Sequence, residues 1–178
     1  MRKFTRIAAV ATASVAAVAM VGACSSDDNK SDEKKGTTAA VQNASSDGKA
    51  SEAEIAALFD RWNSKLATLD AQKVADEYDD DAVLLPTVSN TPRTDREMIV
   101  NYFQNEFLPK KPQGKVVQSF VNVMDENSAV HSGVYDFTLT NTDGTKSVVP
   151  ARFTFVYEKE DGQWKIEEHH SSAMPEKA

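Results

Sequence analysis

The amino-acid sequence predicts an α+β domain in which three N-terminal helices pack on an antiparallel sheet. Two observations support this prediction. Between Ile55 and Phe107, apolar residues recur three or four positions apart, which is the period of a helix with one buried face. From about Val117 to His170 they alternate with polar residues, which is the period of a strand. Because the helices come first as a group, they are expected to cover one face of the sheet.

The three predicted helices have recognisable ends. The first begins at a capping box, 51–54, in which the side chains of Ser and Glu each bond to the other's backbone amide. Asp70 is expected to cap a second, shorter helix that includes Tyr78 and stops at the acidic run 79–81. The third helix spans 94–109, from another capping box to a proline. The apolar stripe of the first helix consists of Ile55, Leu58, Phe59, Trp62, Leu66 and Leu69.

Five segments have the pattern of strands. A short apolar run that ends at Pro86 is interpreted as a buried strand, and four longer alternating segments follow the last helix. Asp143-Gly144 and Asp161-Gly162 are typical of turns between antiparallel strands, since glycine adopts a positive φ freely. The face of the sheet away from the helices still carries apolar residues, which indicates a partner subunit. The predicted strands are 82–85 and about 116–123, 129–140, 147–158 and 163–171.

The N-terminal part has the composition of an export signal and a linker. A basic head, 2–6, precedes an uncharged apolar stretch, 7–21, which is shorter than the about 20 residues that a membrane-spanning helix needs. The following residues are almost all small or polar, so they cannot bury enough apolar surface to fold. We therefore predict a signal peptide at 1–23, a disordered linker at 24–50 and one folded domain at 51–178.

The segment Val21-Gly22-Ala23-Cys24 resembles the lipobox of bacterial lipoproteins. In that family the thiol receives diacylglycerol, with acyl chains such as palmitate, and a signal peptidase cuts between Ala23 and Cys24. The resemblance implies a lipid anchor in the bilayer and a location on the extracytoplasmic face of the cell membrane. Cys24 is the only cysteine, so an internal disulfide is excluded. The alternative is an ordinary signal peptide with a chance cysteine at its end.

The charge of the processed chain narrows the range of partners. Removal of residues 1–23 takes away three basic residues and no acidic ones, so the net charge changes from −7 to −10. Such an acidic body argues against nucleic acid, because affinity for nucleic acid comes from Lys and Arg on the phosphates. It also argues against broad contact with anionic lipid headgroups. The lipid on Cys24 is therefore expected to supply the membrane attachment.

Several segments of the folded part match a known superfamily. They are Tyr102-Phe103, the run 126–129, and the C-terminal run 161–166 followed by 169–172 and Met174-Pro175. Over about 52–175 the chain resembles the nuclear transport factor 2-like superfamily. Within it, the chain is similar to SnoaL-like proteins and to the association domain of calcium/calmodulin-dependent protein kinase II. This resemblance implies a cone-shaped fold with a strongly curved antiparallel sheet, a pocket between the sheet and the helices, and frequently a homodimer.

The sequence departs from the kinase association domains at the pocket. Those domains line it with arginines that can receive a carboxylate, and the aligned positions here are Tyr135, Phe155 and Ser171. A nearly neutral, aromatic pocket is therefore expected, and Trp62 and Tyr78 are candidates for its mouth. The alternative for these aromatic residues is a place in the hydrophobic core, where aromatic residues at helical spacing are usually found.

The last strand carries the candidate catalytic residues. By strict alternation Glu168 and His170 share a face with Trp164 and Ile166, and they could form a general acid/base pair because histidine titrates near neutrality. A hydrogen-bonded polar pair at a strand end is the alternative. His169 is expected on the opposite face, at the surface or an interface. Because adjacent histidines on a strand point apart and no third ligand is suitably spaced, no metal site is predicted.

Three functions remain open from the sequence. The first is a tethered lipoprotein whose domain binds a small apolar or aromatic ligand, associates into a homodimer, or does both. The second is a SnoaL-like enzyme without a cofactor, an isomerase, cyclase or dehydratase that transfers a proton through His170 and Glu168. The third is an association domain alone. They differ in whether these two residues and Tyr135 meet in a cavity of about 300 Å³ or more, the usual lower range for ligand sites.

Overall fold

The structure is a computed structural model that describes residues 48–87 and 89–175. The predicted signal peptide, Cys24 and most of the linker lie outside the described residues. The helices are α1 (Glu52–Ala67), α2 (Ala71–Ala75) and α3 (Arg96–Tyr102), and α3 continues into a π-helical segment (Phe103–Phe107) and a 3₁₀ turn (Leu108–Lys110). The strands are β1 (Tyr78–Leu85), β2 (Gln113–Val123), β3 (Ser128–Thr140), β4 (Lys146–Glu160) and β5 (Gln163–Ala173).

Short polar side chains cap the N-termini of the three helices. The hydroxyl of Ser51 accepts a hydrogen bond from the amide of Glu54 at the start of α1, which confirms one half of the predicted capping box. The carboxylate of Glu54 accepts from Trp164 Nε1 instead. Asp70 caps α2, and Asp95, one residue after the predicted position, caps α3. The predicted stripe of α1 is buried from Ile55 to Leu66, which confirms the helical period, but Leu69 lies beyond the end of α1 and is 48% exposed.

The predicted second helix was too long. It ends at Ala75, and Tyr78 with the acidic run 79–81 belongs to strand β1. The reason is pairing with a strand distant in sequence. The backbone amide of Ile166 in β5 donates to the carbonyl of Glu77, and Tyr78 is in register with Ile166. Backbone hydrogen bonds of this kind override a local signal from a few acidic side chains.

The five strands form one mixed sheet in the order β1-β5-β4-β3-β2. The antiparallel prediction is confirmed for β2 to β5 and is wrong for β1, which lies parallel to β5 at the edge of the sheet. Two parallel strands need a long crossover connection, and here α3 and three strands lie between them. The architecture is α+β, with the helices on one face of the sheet.

The sheet is not strongly curled, contrary to the expectation taken from the resemblance. β3 and β4 pair without interruption from Ser128–Glu158 to Thr140–Lys146. Shifts of register occur next to this pair, at Val117 in β2 and at Glu167 in β5, where the strand has one residue more than its neighbour. Each is a β-bulge, which bends its strand locally and changes the face that the following residues occupy.

The core between the helices and the sheet is largely aromatic. The ring of Trp62 on α1 lies edge-on to Phe155 and Phe103, with ring centroids 5.5 and 6.4 Å apart. Phe59 packs on Phe153. Such rings each bury a large apolar area and constrain one another's orientation. No helix in the described part of the chain is long and apolar enough to cross a membrane.

Candidate functional site

A cavity of about 210 Å³ lies between the inner face of the sheet, α1 and the chain around α3. Its floor is formed by fully buried side chains and its mouth by exposed ones, among them Glu106, Lys110 and Val149. It is smaller than the 300 Å³ at which ligand sites usually begin. The lining residues are Trp62, Leu84, Pro86, Thr87, Tyr102, Phe103, Glu106, Phe107, Lys110, Tyr135, Phe137, Leu139, Val149, Ala151, His169 and Ser171.

The bulge at Glu167 decides which residues of β5 face the cavity. Ile166 is in register with Tyr157 and Glu168 with Val156, so one extra residue separates the two pairs. After it, alternation resumes with the opposite parity. His169 and Ser171 therefore lie on the inner face, where they are 4% and 8% exposed.

The predicted placement of the acid/base pair is wrong for the same reason. Glu168 and His170 are exposed on the outer face of the sheet, and His169, expected at the surface, is buried. Glu168, His170 and Tyr135 therefore do not meet in one cavity. Strict alternation predicted the opposite, and the sequence carries no signal for a one-residue bulge inside a regular strand pattern.

His169 is the polar centre of the cavity floor. Its Nδ1 is 2.9 Å from the hydroxyl oxygen of Tyr78, while its Nε2 is buried and has no hydrogen-bond partner among the described residues. Burial lowers the pKa of His169 to about 3, with a further contribution from the neighbouring His170. The imidazole is therefore neutral near pH 7. Burial also raises the pKa of Tyr78 well above its ordinary value, so that its hydroxyl stays protonated.

Three hydroxyl groups form a second polar element in the cavity wall. The hydroxyl of Tyr135 donates to Ser171 Oγ at 2.5 Å, and Ser171 Oγ is also 2.5 Å from Thr87 Oγ1. Burial raises the pKa of Tyr135 far above its usual value, with the hydrogen bond to Ser171 opposing it in part. These links join three elements, because Tyr135 belongs to β3, Ser171 to β5 and Thr87 to the loop after β1.

Arg93 holds the loop that carries Thr87. Its guanidinium is 2.8 Å from the carboxylate of Glu106 on the π-helical segment, and it also donates to the Ser89 hydroxyl at 3.1 Å. It lies over the ring of Tyr102, 5.5 Å from the centroid. Arg93 is 7% exposed, so the loop is fastened to α3 and its continuation by a largely buried cation.

Of the other predicted pocket residues, two line the cavity and two pack against His169. Trp62 and Tyr135 line the cavity. Phe155 belongs to the core and stacks on the imidazole of His169, with centroids 4.0 Å apart. Tyr78 is buried and fixes the ring of His169 through Nδ1. His169 and Thr87 were not predicted to line the cavity, and Ser171 was not predicted to link the other two hydroxyl groups.

The cavity lining has few charged side chains, and none of them lies at the floor. Of the residues that line the cavity, Lys110 is the one that carries a positive charge, and it is exposed at the mouth. Tyr135 and Ser171 contribute hydroxyl groups to the wall. The walls can therefore accommodate a ring and form hydrogen bonds to a ligand, but they place no cation beside the floor.

Three carboxylates converge at the two bulges of the β1–β5 edge. The side-chain oxygens of Asp79, Asp81 and Glu167 lie within 4.8 Å of one another and are at least partly accessible to solvent. The cluster was not predicted from the sequence, because its members come from two strands that are distant in the chain. Exposed acidic clusters of this kind are common without a bound cation. The absence of a metal site stays a prediction.

Comparisons with known proteins agree with this architecture. Residues 51–175 match the calcium/calmodulin dependent protein kinase II association domain. A Xanthomonas campestris protein named for that domain is 60% identical, with 69% of this chain and 87% of that chain covered and a TM-score of 0.68. No curated protein matches the chain.

Two more distant structures show the fold alone. The association domain of the Caenorhabditis elegans kinase is 14% identical, covers 68% of this chain and 94% of its own, and has a TM-score of 0.56. A nuclear transport factor 2-like protein from Salmonella enterica is 18% identical, covers 71% and 93%, and has a TM-score of 0.61. The chain therefore belongs to the calcium/calmodulin dependent protein kinase II association domain family and has the nuclear transport factor 2-like fold.

Proposed function

We propose that this chain is a lipid-anchored association domain that forms a homodimer through the outer face of its sheet and binds a small apolar or aromatic ligand in its cavity. The observation that carries the proposal is an apolar patch on that outer face. We call it the outer patch and define it as Phe120, Val130, Val134 and Val156. Membership in an association domain family supports self-association as its function.

The register of the strands places the outer patch opposite the core. The row Val121–His131–Phe155–His169 runs across β2 to β5 and faces inward, and its last three members are buried. The adjacent row starts at Phe120, so it faces outward by alternation. Phe120 is 65% exposed, and a phenylalanine so exposed amid half-buried valines is typical of a protein interface.

The surroundings of the outer patch also fit an interface. Arg152, Glu168 and His170 are exposed on the same face, on the β4–β5 side. An apolar centre beside polar and charged residues is the usual anatomy of an interface between subunits. A second copy of this chain presents the same patch, so a two-fold arrangement buries both patches at once.

Phe120→Glu is expected to convert the homodimer into a monomer. Burying two carboxylates in an apolar interface without partners carries a penalty of several kcal/mol, comparable to the whole association energy of a modest dimer. Sedimentation velocity measures the result over a range of protein concentrations. Thr142→Glu adds the same charge at the exposed tip of the β3–β4 turn and is expected to leave the dimer unchanged. A monomeric wild-type chain, or a dimeric Phe120→Glu, would reject this interface.

The cavity supports the ligand-binding part of the proposal. Its walls are mainly aromatic and aliphatic, and its floor holds a few polar groups whose positions are fixed by hydrogen bonds. Sites for small molecules have this composition. The enzyme alternative built on His170 and Glu168 has lost its geometric basis, because both residues lie on the outer face and their side chains do not line the cavity.

The membrane anchor in the proposal rests on the sequence of residues 21–24. Cys24→Ser removes the thiol that would carry the lipid, so the protein is expected to move from the membrane fraction to the soluble fraction. Metabolic labelling with palmitate should also disappear. Ser25→Ala changes the neighbouring side chain and keeps the thiol, and it is expected to fractionate as the wild type does. Retention of Cys24→Ser in the membrane would place the anchor elsewhere.

A further inference from the structure

We propose that the cavity selects an uncharged, ring-containing ligand with one hydrogen-bond acceptor, such as a carbonyl oxygen, which receives hydrogen bonds from His169 Nε2–H and from a hydroxyl of the Thr87–Ser171 pair. The inference rests on the proposed function, in which the cavity binds a small ligand, and adds the chemical class of that ligand. Four observations carry it: the unpaired imidazole nitrogen, the count of hydroxyl protons, the distribution of charge and the size of the cavity.

The first observation concerns the proton on His169. A neutral imidazole donates from one nitrogen and accepts at the other. The hydroxyl of Tyr78 is protonated and lies 2.9 Å from Nδ1. If Nδ1 carried the proton and donated to the tyrosine oxygen, the hydroxyl proton of Tyr78 and the lone pair of Nε2 would both lack a partner among the described residues. The Tyr78 proton is then directed to Nδ1, and the imidazole proton resides on Nε2.

Nε2–H is consequently a donor without an acceptor. His169 lines the cavity and is 4% exposed, and Nε2 has no partner among the described residues. A buried polar group left unpaired costs about 1–3 kcal/mol. A ligand that brings an acceptor to this nitrogen removes that penalty, whereas a purely apolar ligand leaves it in place.

The second observation is a surplus hydroxyl proton. Tyr135, Ser171 and Thr87 have three hydroxyl protons but form only two hydrogen bonds with one another. Because Tyr135 donates to Ser171, the unused proton belongs to Ser171 or Thr87, whichever of them accepts in their shared bond. Both residues line the cavity. The wall therefore offers a hydroxyl donor in addition to the nitrogen of His169.

The third observation is the lack of charge at the floor. Lys110 and Glu106 lie at the exposed mouth, and Glu106 is already paired with Arg93. An ionised group placed beside His169 would lose its hydration without gaining an opposite charge, and that penalty amounts to several kcal/mol per ion in proteins. The floor thus disfavours carboxylates and ammonium groups alike. An uncharged acceptor is the chemistry that the two donors fit.

The fourth observation is size. An apolar cavity of about 150 Å³ holds benzene, and this cavity measures about 210 Å³. It has room for one aromatic ring with a substituent of a few atoms. Acetophenone, a ring that carries a small carbonyl group, is a suitable probe. Ethylbenzene lacks only the acceptor, and benzoate replaces the neutral acceptor by a charge.

The protonation state of His169 is tested first, in the wild-type protein without ligand. The chain contains three histidines, so selective ¹⁵N labelling of histidine gives a spectrum that His131→Gln and His170→Ala can assign. We expect the His169 signals of a neutral ring with the proton on Nε2 between about pH 5 and pH 8. A proton on Nδ1 would make Nε2 an acceptor and overturn the proposal.

Ligand selection is tested by titrating the full chain with the three probes and following the histidine ¹⁵N signals. Acetophenone is expected to shift His169 Nε2 and to bind about fivefold to tenfold more tightly than ethylbenzene, the effect of a net hydrogen bond. Benzoate is expected to bind more weakly than acetophenone. Equal affinity for acetophenone and ethylbenzene, or preference for benzoate, overturns the inference and leaves a binding pocket. If no probe binds, the proposed ligand-binding function fails as well.

Two substitutions distinguish the roles of the two ring nitrogens of His169. The amide of His169→Asn reaches the position of Nδ1 and can still bond to Tyr78, but it has no atom at Nε2. The amide of His169→Gln reaches the position of Nε2 and can donate there. We expect the Asn variant to lose the preference for acetophenone over ethylbenzene and the Gln variant to retain it. Gln163→Ala, at the exposed start of β5, is the control and should bind as the wild type does.

Discussion

Gly133→Ala is expected to destabilise the domain by at least about 3 kcal/mol, the upper end of the range for overpacking. A methyl group at this position would lie far inside van der Waals distance of the carbonyl oxygen of Gln118 and 2.9 Å from its carbonyl carbon. The obstacle is backbone, which cannot rotate away as a side chain can. The bulge at Val117 shifts the register beside this position, where Ser119 pairs with Gly133.

Chemical denaturation of Gly133→Ala and Gly144→Ala distinguishes this clash from a general intolerance of alanine. Gly144 has a φ of +83° in the β3–β4 turn and open space around it. Alanine there meets only the backbone penalty of a positive φ, about 1 kcal/mol. A loss at Gly133 no larger than the loss at Gly144 would mean that β2 can shift relative to β3 without difficulty.

Acidification is expected to destabilise the protein through His169. Burial lowers its pKa from 6.5 to about 3 in the folded state. In the unfolded chain the imidazole is exposed and takes up a proton as the pH falls below 6.5, while the folded protein does not. Stability contributed by the neutral form is therefore fully present above pH 6.5 and is lost progressively as the pH falls toward 3. The slope is about 1.4 kcal/mol per pH unit in that window.

The comparison of wild type with His169→Gln isolates this contribution. Between about pH 6.5 and pH 4.5 the free energy of unfolding of the wild type should fall by about 2 kcal/mol more than that of the variant. Urea denaturation at several pH values measures the difference. His131 is also buried and its pKa is lowered for the same reason, desolvation, so the variant keeps some pH dependence. If the two curves were parallel, His169 would take up its proton as readily in the folded protein as in the unfolded chain, and the lowered pKa would be wrong.

Most of the fold was predictable because its signals are local. The apolar stripe of α1 and the alternation in β3 and β4 indicate which residues are buried. The capping residues indicate where α1 and α2 begin. The parallel pairing of β1 with β5 was not predictable in this way. It depends on hydrogen bonds between segments about 90 residues apart, such as that between Ile166 and Glu77.

The candidate site was predictable only in its composition. Trp62 and Tyr135 were identified as pocket residues from the resemblance, and both line the cavity. His169 was assigned to the wrong face because alternation was extended through Glu167. A bulge depends on how a strand fits its two neighbours, so one strand's own sequence does not determine it. Thr87 was missed because loops have no periodicity from which a direction could be inferred.

The bulge at Glu167 also determines how this protein can tolerate changes in chain length. Deletion of Glu167 would restore plain alternation and leave His169 and Ser171 facing inward. Deletion of one residue between His169 and Ser171 would instead turn every later residue of β5 to the other face. Two relatives that differ by a single gap in this strand can thus have the same cavity wall or different ones, depending on which side of His169 the gap lies. Alignments of the family should place such gaps by structure before any side chain is equated.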